Sequence, residues 1–468
     1  MRPRDHRPAL DESGQRRVYD GAAARGVARG AGRLIAGACR AFHRRRLHTK
    51  LKRGIFAMLP YYRVSSDCQA GLIEELEKLM IYDCHEHLPP EKARLQSAPD
   101  AFTIFSHYCQ HDLYTAGMAL ETRDKVLWER ADLDWKWREF KPYYQKCKDT
   151  AYFRAAHITL KRFYGADELT DENYRAVSER VAAANTEGLY RRVLRDACGI
   201  VCSLNCDGPL DDTDGGLLRQ SVRAREVTSR KNLTALLGSE PDGTATMDDV
   251  DAALERFIAE AAAGGAFGVK YMPVFFQNAT RGEAAETLAQ LCKDGGKTLP
   301  RSNPLNDYLL TRQMRLAHDR GLVNAVHTGY WNDYRELSPA NLLPVIMQNR
   351  DIRFDVYHVG YPYVREAIML GKVWPNVRLN MAWTYLISQS FAADALGEML
   401  EMLPDNKILG FGGDYYVIEK VFGHLCMARE TIASVLADKI ARRELTAERA
   451  LRIAEKMLCD NPKEFYRL

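Results

Sequence analysis

Short apolar segments alternate with amphipathic stretches along most of the carboxyl-terminal part of this chain. The apolar segments span 266–270, 322–329, 352–360 and 408–414, and the amphipathic stretches between them include 305–320 and 339–348. Strands that alternate with helices predict a parallel sheet joined by crossover helices. Repeated over roughly 400 residues, the pattern predicts an α/β fold, a (β/α)8 TIM barrel, with its site at the carboxyl ends of the strands.

Polar side chains of one chemical kind stand where these apolar segments end. His85 and His87 close an earlier apolar run, and alternate residues of a strand point to the same side, so the two imidazoles should converge. Imidazole is the commonest protein ligand of a catalytic divalent metal. The later segments contribute four further polar side chains: Lys270, His327, His358 and Asp414.

In this order, the six residues resemble the metal-binding signature of the amidohydrolase superfamily. The family pattern has two histidines on strand 1, a lysine on strand 4, histidines on strands 5 and 6 and an aspartate on strand 8. The resemblance covers about 58 to 468, and from 306 onwards it includes His-Thr-Gly, His-Val-Gly-Tyr-Pro and Gly-Gly-Asp-Tyr in succession. It implies a barrel enzyme over residues 58–468.

The resemblance also implies a metal centre that holds one or two divalent ions, with zinc expected first and manganese second. The implied ligands are His85, His87, His327, Asp414 and Lys270. A bound ion would lower the pKa of a water molecule toward ~7. Asp414 would then act as a catalytic residue that moves a proton from this water to the leaving group. His358, the second implied catalytic residue, would polarise the substrate oxygen or bind a second ion.

Lys270 has more than one interpretation. In superfamily members with two metals, the strand 4 lysine is carboxylated and bridges the ions, whereas other branches keep it unmodified. Sequence cannot show such a modification. The alternative without a metal is a lysine paired with an acid such as Glu86 at the barrel mouth.

Two parts of the chain favour different reactions. The segments after 306 favour a metal-dependent hydrolase that cleaves a C–N, ester or lactone bond of a small polar substrate, and a decarboxylase of the same branch is an alternative. A mainly helical insertion at 101–208 is instead similar to the insertion of uronate isomerases, which interconvert aldoses and ketoses. We therefore keep hydrolysis as the first hypothesis and isomerisation as the second.

Composition excludes other classes of function. Residues 1–55 carry 15 Lys and Arg against 4 acids, which leaves 51 basic and 58 acidic residues, a net charge of −7, on the rest of the chain. A nucleic-acid partner is therefore not expected. Residues 1–57 are predicted to be a disordered basic extension. No apolar run is long enough to be predicted as a membrane span. The chain has 11 cysteines and no Cys-x-x-Cys motif, which is typical of a protein in a reducing cytoplasm. Assembly into a homo-oligomer stays open.

Two further pairs of side chains have interpretations that the structure can test. His107 and His111 stand four residues apart and are predicted to share a helix face, as substrate-facing or structural residues. Trp135 and Trp137 are predicted to pack in a core, with a role in a lid as the alternative.

Overall fold

The structure, a computed structural model, describes residues 59–206, 216–240, 245–272, 276–293, 298–331 and 333–468. The predicted extension 1–57 lies outside the described residues. Among the helices of the described part, none is both long and apolar enough to cross a membrane.

The strands of the described residues, counted as eight, pair in parallel throughout and lie in two sheets, one of three strands and one of six, because one strand contributes a segment to each sheet. They are β1 Ile81–Glu86, β2 Ile200–Asn205, β3 in two segments Leu218–Gln220 and Val222–Arg223, β4 Gly268–Tyr271, β5 Val323–His327, β6 Phe354–Tyr357, β7 Val377–Asn380 and β8 Ile408–Leu409. Ser221 separates the segments of β3, and its N–H donates to Asn205 O at 2.8 Å. The predicted (β/α)8 fold is confirmed.

Backbone hydrogen bonds also connect the last strand region with the first. The N–H of Cys84 donates to Phe411 O at 3.0 Å, and the N–H of Asp414 donates to His85 O at 2.8 Å. The chain that follows β8 therefore runs beside β1 and brings its carboxylate next to the two histidines.

A group of helices lies between β1 and β2. It contains α2 Glu91–Gln96, a 3-10 turn Ala101–Phe105, α3 Cys109–Thr115, α4 Leu120–Trp128, α5 Leu133–Cys147, α6 Ala151–Tyr164, α7 Tyr174–Ala184 and a π-helix Arg191–Ala197, while α1 Asp67–Leu76 precedes β1. These helices have an apolar core of their own that includes Phe105, Phe140 and Tyr144. The helical part of the predicted insertion ends at Ala197, because the next residues form β2.

The remaining helices follow the later strands. They are α8 Arg230–Leu237, α9 Met247–Ala263, α10 Arg281–Lys293, α11 Pro304–Asp319, α12 Leu343–Gln348, α13 Val364–Val373, α14 Thr384–Ile387, α15 Gln389–Met402, α16 Lys420–Ala441, α17 Ala447–Glu455 and α18 Asn461–Tyr466. Short 3-10 turns span Tyr334–Leu337, Pro339–Leu342 and His358–Gly360, and a π-helix spans Lys456–Asp460. Phe465 and Tyr466 of α18 pack against Val323 and Leu409 in the barrel interior.

Candidate active site

A bulge in β1 aims the first histidine into the barrel. Asp83 pairs with Ser203 and Glu86 with Asn205, so β1 has one more residue than β2 over this interval. A bulge of this kind shifts the alternation of side chains, and bulges are common beside active sites. His85 consequently faces the interior directly after Cys84, which packs in the interior as well.

The two histidines converge on one carboxylate oxygen, as their spacing predicts. Asp414 Oδ1 lies 3.2 Å from His85 Nε2 and 3.3 Å from His87 Nε2. The second nitrogen of His85, Nδ1, lies 3.2 Å from Cys206 Sγ at the end of β2. His85 is therefore held from both sides of its ring.

Glycine is required where the chain after β8 passes β1. A Cβ atom on Gly413 would stand 1.8 Å from Glu86 Oε1, and one on Gly412 would stand 3.0 Å from the backbone nitrogen of His85. The Gly-Gly pair before Asp414 thus lets two backbones approach closely. This approach places the carboxylate at hydrogen-bonding distance from the imidazoles.

His327 and His358 form a second pair in the same cavity. His358 Nδ1 lies 2.9 Å from Ala382 O, so this nitrogen carries the proton and Nε2 offers a lone pair. His358 Nε2 lies 3.1 Å from His327 Nδ1 and 3.8 Å from Asp414 Oδ2. The buried Nε2 of His327 has no hydrogen-bond partner in the structure.

Lys270 reaches the centre from β4. Its Nζ lies 3.4 Å from His85 Nε2 and 3.7 Å from the centroid of the Tyr357 ring. Among the described residues Lys270 and Glu86 form no ion pair, and Glu86 instead accepts a hydrogen bond from the Tyr415 N–H at 2.7 Å. Burial lowers the pKa of Lys270, which favours the neutral amine that carboxylation requires. Carboxylation itself stays a prediction.

Burial also sets the charges of the other side chains. It lowers the pKa of His358 to about 4 and holds the pKa of His85 and His327 well below the usual range. Burial alone would raise the pKa of Asp414, but the neighbouring His85, His358 and His87 hold it well below its usual range. Neutral imidazoles beside a carboxylate are the protonation states that bind a metal cation.

Unusual backbone conformations gather around these side chains. The φ angles of His107, His358, Trp383 and Asp414 are 58°, 67°, 64° and 59°, in the left-handed region that non-glycine residues seldom adopt. Such conformations cost roughly 1–3 kcal/mol each and cluster at functional sites, where the surrounding packing enforces them. The clustering supports a functional interpretation of this cavity.

The cavity itself has a volume of about 290 Å³ and opens at the carboxyl ends of the strands. Its lining includes His87, Lys270, His327 and Asp414, together with residues that sequence reasoning missed: Tyr108, Gln110, Arg223, Met272, Trp331, Trp383 and Tyr416. Arg223 ends β3 and Trp383 closely follows β7, so a search of all eight strand ends would have found these two. Tyr108 and Gln110 come from the inserted helices, which carry no such signal.

The histidine pair, the tryptophan pair and the cysteines can also be compared with their predictions. His107 precedes α3 in a left-handed conformation, so the prediction that it shares a helix face with His111 is wrong, although His107 does line the cavity. Trp137 is buried and Trp135 partly buried in the core of the inserted helices, as predicted. The ten cysteines of the described residues form no disulfide with one another.

The donor set fits a divalent metal. One ligand atom from each of His85, His358 and Asp414 lies within 4.8 Å of the others, which is compatible with a single ion. His87 adjoins the same carboxylate oxygen, and the unpartnered Nε2 of His327 supplies another buried lone pair. Nitrogen and carboxylate donors of this kind suit zinc and its first-row neighbours.

Residues 241–468 match the family model described as amidohydrolase. The carboxyl-terminal part of the chain, residues 241–468, is therefore similar to amidohydrolases. A curated relative, protein fluG from Emericella nidulans, is 29% identical over 174 residues, which is 35% of this chain and 20% of fluG. This chain thus matches only about a fifth of the length of that relative.

Solved structures agree with this fold. A uronate isomerase from Thermotoga maritima has a TM-score of 0.73 and 14% identity, covering 89% of this chain and 100% of its own. A glucuronate isomerase from Caulobacter crescentus has a TM-score of 0.70 and 17% identity, covering 90% and 97%. A protein from Lactobacillus casei, assigned to the metal-dependent hydrolases, has a TM-score of 0.60 and 18% identity, covering 85% and 97%. At these identities the likeness concerns the fold alone.

Proposed function

We propose that this protein is a metal-dependent hydrolase that cleaves a C–N, ester or lactone bond of a small substrate with a carboxylate or hydroxyl group. The observation that carries the proposal is the position of Asp414, whose Oδ1 is shared by His85 and His87 while Oδ2 faces His358. His85, His87, Asp414 and His358 or His327 would hold the ion, with Lys270 beside them. When bound, a divalent ion would supply Lewis-acid activation of water.

The chain's own residues have distinct roles in this proposal. Asp414 is ionised and can accept a proton. The neutral His358 offers only the lone pair of Nε2, which can accept a hydrogen bond from the substrate or bind an ion, because its Nδ1–H donates to Ala382 O. Arg223 lines the cavity and would attract an anionic group of the substrate. The aromatic side chains of Trp383 and Tyr108 stack at 4.9 Å and form a rigid wall.

Turnover in ¹⁸O-labelled water tests the reaction class. N-acyl amino acids, lactones and uronates would be screened, and we expect cleavage of an acyl compound with one labelled oxygen in the product. Conversion of a uronate to a ketose without cleavage, or release of carbon dioxide, would contradict hydrolysis. The variant Asp414→Asn should lower kcat by about 10²–10⁴-fold while the barrel stays folded, because it removes the proton acceptor.

A uronate-type isomerase is the second candidate. It is favoured by one observation, the likeness in fold to two uronate isomerases over 89% and 90% of this chain. In that reaction the side chains would move hydrogen between adjacent carbons of a sugar acid. The labelling experiment separates the two candidates, because isomerisation cleaves no bond between the carbon skeleton and a leaving group.

A further inference from the structure

A second cavity adjoins the site on the side of the inserted helices. This side cavity has a volume of about 650 Å³, and its lining includes Leu88, Pro89, Pro90, Ala93, Leu127 and Trp128. It is larger than the cavity of about 290 Å³ that contains the metal-binding side chains. Most of its walls are apolar.

The two cavities are neighbours that share wall residues. His87 and Tyr416 line both of them, and their rings lie 5.4 Å apart. Trp128 of the side cavity donates its Nε1–H to Gln110, which lines the site cavity, at 3.3 Å. A molecule bound at the metal-binding side chains could therefore extend past Tyr416 into the side cavity.

Two polar side chains of the side cavity, Arg94 and Thr103, form hydrogen bonds within its wall. The Arg94 guanidinium lies 2.8 Å from Glu419 Oε1 and donates to Asn185 Oδ1 at 3.0 Å. Thr103 accepts a hydrogen bond from the N–H of Asp100 at 3.1 Å. The charge of Arg94 is thus neutralised within the wall, and what the cavity offers a ligand is chiefly the apolar surface of Leu127, Trp128 and neighbouring prolines.

We propose that the side cavity binds an apolar group, alkyl or aryl, of the substrate whose polar end lies at the metal-binding side chains. The inference rests on the proposed function and adds a substrate class to it, namely amphiphilic carboxylates and their acyl derivatives. Apolar surface that leaves water for such a cavity gains free energy in proportion to its area. Arg223, which lines the site cavity, supplies the complementary charge for the carboxylate end.

Isothermal titration calorimetry of the full-length protein with acetate, butanoate and hexanoate tests this without requiring turnover. Each methylene that enters the cavity should raise the affinity about fourfold, equivalent to ~0.8 kcal/mol. Equal affinities for acetate and hexanoate, or no binding of any of them, would overturn the proposal.

The variant Ala93→Phe locates the effect. Ala93 lies exposed on α2 and lines the side cavity, so a larger side chain there fills the cavity without overpacking the core. We expect the variant to bind acetate as the wild type does and to lose the dependence on chain length. The control Ala182→Phe places the same side chain at an exposed position of α7 that does not line the cavity, and it should keep the wild-type dependence.

The outcomes separate this inference from the proposed function. A chain-length dependence that survives in Ala93→Phe would overturn the inference, because the alkyl chain would then bind elsewhere. Confirmed hydrolysis with equal affinity across the series would overturn the inference alone. A dependence on chain length that Ala93→Phe removes, in a protein that proves to be an isomerase, would overturn the proposed reaction and support the cavity.

Discussion

At the scale of the residue, the contact between Cys206 and His85 shows how a side chain outside the donor set can affect it. Cys206 Sγ lies 3.2 Å from Nδ1 of His85, whose Nε2 faces Asp414. A partner on the far nitrogen fixes the tautomer and the ring orientation of a ligating histidine. Cys206→Ala should therefore weaken zinc binding about 10-fold or more, measured by competition with a chelator.

Two control variants show whether the loss of zinc affinity in Cys206→Ala is due to the Cys206 thiol. Cys206→Ser keeps a hydroxyl at the same position and should recover most of the affinity. Cys202→Ala removes another buried thiol of β2, whose sulfur lies 4.0 Å from Ser203 O, and should bind zinc as the wild type does. Unchanged affinity in Cys206→Ala would mean that the thiol only packs against the ring.

At the scale of the element, His157 makes the inserted helix α6 sensitive to acid. Burial lowers its pKa to about 4, with weaker influences from Glu168, Lys148 and Asp149, against about 6.5 in an unfolded chain. Below pH 6.5 the imidazole of His157 becomes protonated in the unfolded chain but stays neutral in the folded protein. The free energy of unfolding therefore decreases as the pH falls toward 4. His157→Gln should remove up to ~3 kcal/mol of this loss, measured by urea unfolding from pH 8 to 4.

A second variant tests the assigned cause. Tyr144 OH lies 2.8 Å from Nε2 of His157, and Tyr144→Phe removes that hydroxyl but leaves the imidazole buried. It should keep the wild-type change of stability with pH. If the free energy of unfolding changes with pH in the same way for wild type and His157→Gln, then the pKa of His157 is not lowered in the folded state.

At the scale of the whole molecule, an ion at this centre would join strands that are far apart in the chain. His85 and His87 belong to the β1 region, His358 follows β6, and Asp414 follows β8. Because this arrangement exists only in the folded state, binding should stabilise that state, by ~2.7 kcal/mol at a free metal concentration 100 times Kd. We expect Tm to rise with added zinc or manganese and to fall after chelation.

His87→Ala tests the centre at the same scale. It should retain the barrel, since apolar strands build the core, but lose most of the bound metal and the metal-dependent rise in Tm. His318→Ala, on helix α11, is the matched control and should keep both. Full metal content in His87→Ala would remove that residue from the proposed ligand set.

Local sequence patterns were enough to predict the alternation of strands and helices and the order of the donor side chains. Both depend on local chemistry: period-2 and helical apolar patterns, and polar residues at strand ends. The convergence of His85 and His87 could be predicted because it depends only on the alternation within one short segment. The mainly helical character of residues 101–208 was predicted as well, although residues Ile200–Asn205 of that range form β2.

Only the tertiary structure decided which distant groups meet. The bulge at Asp83–Glu86, the contact of Cys206 with His85 and the approach of Gly413 to Glu86 depend on the register between separate strands. The side cavity depends on how α4 and the segment after β1 pack beside Tyr416. Such contacts join residues far apart in the chain, and a single sequence specifies them through the packing of the whole core, which no local pattern reports.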